Sequence, residues 1–62
     1  MTANILVIED EPAILELLAF NITQCGYRAL QSLDADSAWE HINRALPDLI
    51  LLDWMQIGRA HV

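Results

Sequence analysis

The amino-acid sequence predicts an α/β fold in which a parallel β-sheet is covered by helices. Residues 4–8 and 49–52 are apolar runs, and runs that do not alternate with polar residues are typical of strands covered on both faces. Two helix-like segments and a weaker strand lie between them, which gives the order β-α-β-α-β. Because crossovers between parallel strands are right-handed in nearly all such units, this order indicates a parallel sheet with helices packed against it.

The first helix is predicted to begin at Pro12 and to end near Gly26. Proline suits the first turn because its missing N–H would have no helical partner there. Gly26 stands where a left-handed C-terminal cap belongs. An apolar arc of about 100° runs along this helix, and we expect its residues to pack in the core. They are Ile14, Leu15, Leu18, Ile22 and Cys25.

The second strand and second helix are predicted from weaker signals. Residues 27–30 indicate a short strand, and Asp34 is a candidate N-cap for a helix that runs to about Leu46 and is ended by Pro47. Residues 37–40 also fit the capping-box pattern. The residues expected to face inward are Ala38, Ile42 and Ala45.

Length and composition limit the chain to one small domain. Its 62 residues are 55% hydrophobic, whereas a chain of this size buries only about 60% of the surface that it exposes when unfolded. The single cysteine excludes an internal disulfide and suits a reducing compartment. Such a composition is more typical of core segments that belong to a larger protein.

Charge and hydropathy exclude further classes. Nine acidic and three basic residues give a net charge of -6, which argues against direct nucleic-acid binding by this segment. The N-terminus lacks the basic region of a signal peptide, and the short apolar runs cannot span a bilayer. We therefore predict a cytoplasmic protein without membrane contact.

Carboxylates follow the two most apolar strands. Glu9 and Asp10 come after residues 4–8, and Asp53 comes after residues 49–52. Functional crevices in open parallel sheets lie beyond the carboxyl ends of the strands. If the two strands are neighbours, the three carboxylates converge, and Mg²⁺ would relieve their repulsion while binding a phosphate oxygen. Asp53 is the best candidate nucleophile, because a carboxylate can attack phosphorus to give an acyl phosphate.

A simpler interpretation stays open at this point. Acidic residues that follow a strand are commonly solvated loop residues or helix caps, and Glu9 to Glu11 stand before a helix whose dipole favours negative charge. Residue spacing alone does not choose between a metal site and a cap.

Two motifs resemble the receiver domain of two-component response regulators. They are Ile-Leu-Val-Ile-Glu-Asp-Glu-Pro at residues 5–12 and Pro-Asp-Leu-Ile-Leu-Leu-Asp at residues 47–53. Trp54 and Met55 further resemble the winged-helix transcription-factor subfamily, especially its phosphate-starvation regulators. The resemblance implies a partial flavodoxin-like, doubly wound parallel sheet, namely the first β-α-β-α-β of a five-stranded receiver.

The resemblance also implies roles for individual residues. Asp53 would be the phosphoacceptor, and Asp10 and Asp53 would ligate Mg²⁺. Glu9 would contribute directly or through water, and the backbone carbonyl of Met55 would be a further ligand. The implied partner is a sensor histidine kinase, which would dock in part on the first helix, where Leu17 and Phe20 lie outside the apolar arc.

The end of the chain departs from the receiver pattern. Residues 57–62 read Ile-Gly-Arg-Ala-His-Val, which the codons ATC-GGA-AGA-GCA-CAC-GTC encode and which resembles a sequencing-library adapter. We therefore expect residues 1–55 to be the N-terminal half of a receiver and residues 56–62 to be a non-native tail. The switch hydroxyl and phosphate-binding lysine of the family belong to later strands, so we do not expect the fragment to be competent by itself.

These observations predict a signalling module that is not an enzyme in the usual sense. In full length it would control transcription through a separate DNA-binding domain, and its homodimerisation stays open. One alternative is a pseudo-receiver that binds a partner without phosphorylation. A haloacid-dehalogenase-like phosphohydrolase is a second, but that family places two aspartates two residues apart after its first strand, a spacing that is not found after residues 4–8.

Overall fold

A computed structural model of the chain describes residues 2–52. The elements are β1 (Asn4–Ile8), α1 (Pro12–Gln24), β2 (Arg28–Ser32), α2 (Ala35–Arg44) and β3 (Leu49–Leu52). The three strands form a parallel sheet in the order β2-β1-β3. The predicted fold class and element order are confirmed, while the proposed tail at residues 56–62 lies outside the described residues.

The core lies mainly between β1 and α1. Ile5 and Val7 of β1 form a buried cluster with Leu15, against which Leu18 and Ile22 pack. Side chains alternate across a strand, so Leu6, which is also fully buried, faces the opposite side of the sheet, where α2 lies. The central strand is therefore covered on both faces, as its continuous apolar run predicts.

The buried face of α1 is rotated from the predicted arc. Leu15 and Ala19 are the buried residues of this helix, whereas Ile14 and Cys25 are exposed. The prediction that Cys25 packs in the core is wrong for the described residues. The reason is that, among the described elements, the backbone of α1 lies close to β1 and β2 but not to β3. The arc edge that carries Ile14 and Cys25 consequently lies on the β3 side of the helix.

The C-terminus of α1 has the predicted glycine cap. Gly26 has φ of 94°, and its N–H donates to the carbonyl of Thr23 at 3.0 Å. The N–H of Tyr27 donates to the carbonyl of Ile22 at 3.2 Å, which completes a Schellman motif. Because Tyr27 belongs to this cap, β2 begins one residue later than predicted, and it extends to Ser32 through its pairing with β1.

The helix α2 begins at the predicted cap but ends earlier than expected. The Oδ1 atom of Asp34 accepts a hydrogen bond from the backbone N–H of Ser37 at 2.8 Å. Ser37 is thus inside the first turn, and the predicted capping box at residues 37–40 is wrong. Ala45 is extended and exposed, so it does not continue the inward face of the helix. Ala38 is buried and Ile42 is half-buried, as expected.

Candidate functional site

Glu9 lies at the carboxyl end of the central strand and is buried. Its backbone N–H donates to the carbonyl of Ser32 at 3.0 Å, which continues the pairing of β1 with β2 by one step. The side chain is 1% exposed. A buried carboxylate is tolerated only where hydrogen bonds replace its hydration. The contacts of this side chain therefore decide what it does.

The carboxylate of Glu9 caps the turn that leads into α1. Its Oε1 atom accepts a hydrogen bond from the backbone N–H of Glu11 at 3.0 Å. Glu11 is the N-cap residue of α1, and within residues 2–52 its own side chain makes no capping hydrogen bond. The carboxyl group of Glu9 also lies near the N-terminus of α1, where the helix dipole favours negative charge. Glu9 therefore holds the turn that precedes α1, while the N-cap position itself belongs to Glu11.

Asp10 differs from Glu9 in its environment although the two are adjacent in sequence. It is exposed and occupies the middle of the turn that Glu9 and Glu11 close. Pro12 then begins α1 with a backbone angle that suits the first turn. The two predicted ligands thus lie at the same end of the sheet, one buried and one at the surface.

A second hydrogen-bonded link supports this end of the sheet, and the sequence analysis missed it. The hydroxyl oxygens of Ser32 and Ser37 lie 3.2 Å apart and share a hydrogen bond. Ser32 is 1% exposed, and its carbonyl is the acceptor for Glu9. The pair thereby joins the first turn of α2 to the strand end that holds Glu9. A polar residue at the end of a weak strand is the signal that could have identified Ser32.

The strand β3 ends beside β1, as the metal-site hypothesis requires. Leu52, the last residue of β3, pairs with Ile8, the last residue of β1. In the sequence, the predicted site residue Asp53 follows Leu52, and Glu9 follows Ile8. Asp53 itself lies outside the described residues, as does Met55. Within residues 2–52 no group of three or more His, Cys, Asp or Glu side chains could hold a metal ion. Only Glu9 and Asp10 of the predicted set belong to that part of the chain.

A hollow opens at the carboxyl ends of β1 and β3. It is lined by Ile8, Glu9, Ile14, Leu18, Leu51 and Leu52. This is where ligands bind in open parallel sheets. The side chains of Glu9 and Asp10 supply hard oxygen donors of the kind that Mg²⁺ prefers, and Mg²⁺ needs only one or two carboxylates from a protein. The chemistry of the residues present therefore fits this cation.

Neither α1 nor α2 is long and apolar enough to cross a bilayer.

Comparisons with known proteins relate the chain to bacterial regulators. It is 47% identical over 58 residues to the phosphate regulon transcriptional regulatory protein PhoB of Escherichia coli (strain K12). This match covers 94% of the present chain and 25% of PhoB. It is 36% identical over 55 residues to the response regulator GtcR of Aneurinibacillus migulanus, and 38% identical over 55 residues to the alkaline phosphatase synthesis transcriptional regulatory protein PhoP of Bacillus subtilis (strain 168). Each of these two matches covers 89% of this chain and 23% of the relative.

The chain spans about a quarter of the length of the curated relatives that it matches. No family model matches the chain, and no solved structure matches it significantly. Similarity over nearly the whole chain, together with the observed β-α-β-α-β order, supports a receiver-domain fragment of the PhoB type.

Proposed function

Taking the chain as a receiver-domain fragment of the PhoB type, we propose that it carries the phosphoryl-accepting site of a two-component response regulator. The observation that carries this proposal is the parallel pairing of Ile8 with Leu52, because it aligns the strand ends that precede Glu9 and Asp53. The names of the relatives support a regulator of transcription. We propose that the DNA-binding part of such a regulator lies outside this chain.

The proposed reaction is transfer of a phosphoryl group from phosphohistidine to Asp53. A carboxylate oxygen of Asp53 attacks phosphorus, a P–O bond forms, and the P–N bond to the imidazole breaks. The electron pair of that bond leaves with the imidazole nitrogen of a sensor histidine kinase. The carboxylate of Asp53 is thus the nucleophile, as the corresponding aspartate is in other phospho-aspartyl proteins. The protein is thus a phosphorylated signalling module and not an enzyme that acts on a separate substrate.

Asp10, Asp53 and the carbonyl of Met55 would hold Mg²⁺ in this proposal, with Glu9 contributing directly or through water. The cation would neutralise charge on the transferring phosphoryl oxygens. Asp10 is exposed at the carboxyl end of the sheet and can present its carboxylate to the site.

The test is phosphorylation of the full-length protein that carries this segment. Incubation with Mg²⁺ and acetyl phosphate is expected to add the mass of one phosphoryl group, and Asp53→Ala is expected to abolish the gain. Asp36→Ala provides a matched control, because Asp36 is an exposed aspartate on α2. A mass gain that persists in Asp53→Ala would contradict the assignment of the acceptor. A wild-type protein that gains no mass would favour an interaction module that works without phosphorylation.

A further inference from the structure

We propose that Glu9 is a positioning residue, whose buried carboxylate holds the turn at residues 9–11 and thereby fixes Asp10 at the edge of the site. The expected effect of this role on phosphorylation rests on the proposed function. The role itself rests on contacts within the described residues. It also changes the expectation for Glu9, which the family resemblance treats as a direct or water-mediated ligand.

The Glu9 carboxylate is buried and bonded to the backbone of its own turn. Oε1 accepts the N–H of Glu11 at 3.0 Å, in a side chain that is 1% exposed. A hydrogen bond to a buried charged group contributes more than one made in water, and losing the acceptor would leave the amide at the helix start without it. The backbone at residues 9–11 is therefore held by this contact.

The backbone is hydrogen-bonded on either side of the turn at residues 9–11. On one side, the N–H of Glu9 is bonded to the carbonyl of Ser32, whose hydroxyl is linked to Ser37. On the other side, the carbonyl of Glu11 accepts the N–H of Leu15 at 2.9 Å and so begins the hydrogen bonds of α1. Asp10 is the exposed residue between these two anchors. Its backbone position depends on the contact that closes the turn.

The chemistry of the position separates a holding role from a ligand role. Glutamine has a carbonyl oxygen that can accept the N–H of Glu11, but it has no negative charge. Alanine has neither. If Glu9 is a positioning residue, glutamine should therefore preserve most of the phosphorylation rate at saturating Mg²⁺. The lost charge should only raise the Mg²⁺ concentration that saturation requires. A residue whose charge binds the cation should fail with either replacement.

The experiment compares Glu9→Gln and Glu9→Ala in the full-length protein, with Glu16→Ala, a change at an exposed position of α1, as control. Hydrogen exchange of the Glu11 amide is measured without Mg²⁺, and the phosphorylation rate with acetyl phosphate is measured as Mg²⁺ is raised to saturation. We expect Glu9→Ala to lose amide protection and at least about tenfold of the saturating rate, as other supporting residues of metal sites do. Glu9→Gln is expected to keep the protection and to rescue most of that rate.

Two outcomes would overturn the proposal. One is a glutamine variant with a protected Glu11 amide whose saturating rate falls as far as that of the alanine variant. The other is an alanine variant that keeps the saturating rate. If Glu9→Ala does not fold, the glutamine variant still decides, because a saturating rate about tenfold below that of the wild type, with the Glu11 amide protected, would overturn the proposal. A wild-type protein that accepts no phosphoryl group would refute the proposed function, whereas the amide exchange would still show whether Glu9 holds the turn.

Discussion

Asn4 and Asp48 exchange two hydrogen bonds that fix the start of β3 against the start of β1. The backbone N–H of Asn4 donates to Oδ2 of Asp48 at 2.7 Å, and the N–H of Asp48 donates to the carbonyl of Asn4 at 2.8 Å. A slip of one residue would turn every side chain of β3 to the other face of the sheet. The pair therefore helps to set the register that brings Leu52 beside Ile8 at the candidate site.

We expect Asp48→Ala to destabilise the full-length protein, because it removes the side-chain acceptor of this pair. The free energy of unfolding should fall by about 1 kcal/mol, as measured by urea denaturation. Asp48→Asn keeps an acceptor oxygen and should lose less. Equal stability of the alanine variant and the wild type would show that backbone pairing alone sets the register.

The glycine cap of α1 allows a test of backbone conformation without a packing change. A Cβ atom added at Gly26 would meet no other atom within 4 Å among the described residues. The only obstacle to a side chain at this position is therefore the backbone φ of 94°, which L-residues rarely adopt. Gly26→Ala should therefore lower the free energy of unfolding by about 1 kcal/mol. Gly26→Asn should lower it less, since asparagine tolerates this conformation better. Thermal unfolding of both variants checks the order, and an alanine variant as stable as the wild type would contradict it.

Much of the fold follows from local sequence signals, and the exceptions have physical causes. Pro12 begins α1, Gly26 caps its end and Asp34 caps the start of α2, as predicted. These positions were predictable because each residue acts through its own backbone geometry or through a nearby amide. The exposure of Cys25 could not be predicted from helix periodicity, since it depends on which strands the helix covers.

The candidate site was predicted in part. The sequence placed Glu9 and Asp10 at the end of β1, as observed. It did not predict that Glu9 would be buried and bonded to the amide of Glu11, because that contact depends on how the chain turns into α1. The role of Ser32 depends on its pairing with β1 and on its contact with Ser37, which lies on another element.

Phe20 allows a test of partner docking on α1. Leu17 and Phe20 are 58% and 59% exposed, so the prediction that they lie outside the buried face is confirmed. If the sensor kinase docks here, Phe20→Ala should slow phosphotransfer several-fold by removing an aromatic contact that contributes about 1 kcal/mol or more. Trp39→Ala is the matched control, since Trp39 is a 61% exposed aromatic residue on α2. An unchanged rate with unchanged stability would remove the docking claim.

The apolar strand β3 should make the 62-residue chain self-associate. It is an edge strand of the described sheet, and Leu49, Ile50 and Leu51 are 57%, 46% and 40% exposed. The backbone of neither described helix lies close to it. Uncharged apolar edge strands pair readily with other chains, and a lysine on such an edge opposes this pairing. The other edge, β2, carries the polar residues Arg28 and Gln31.

We therefore expect Ile50→Lys to shift the 62-residue chain towards smaller species in light scattering over a range of concentrations. Gln31→Lys adds the same charge at an exposed position on the opposite edge and should change the distribution much less. The comparison separates the edge effect from the change in net charge, since both variants gain one positive charge relative to a chain of net charge -6. A wild-type chain that stays monomeric throughout, or equal effects of the two substitutions, would show that β3 does not drive association.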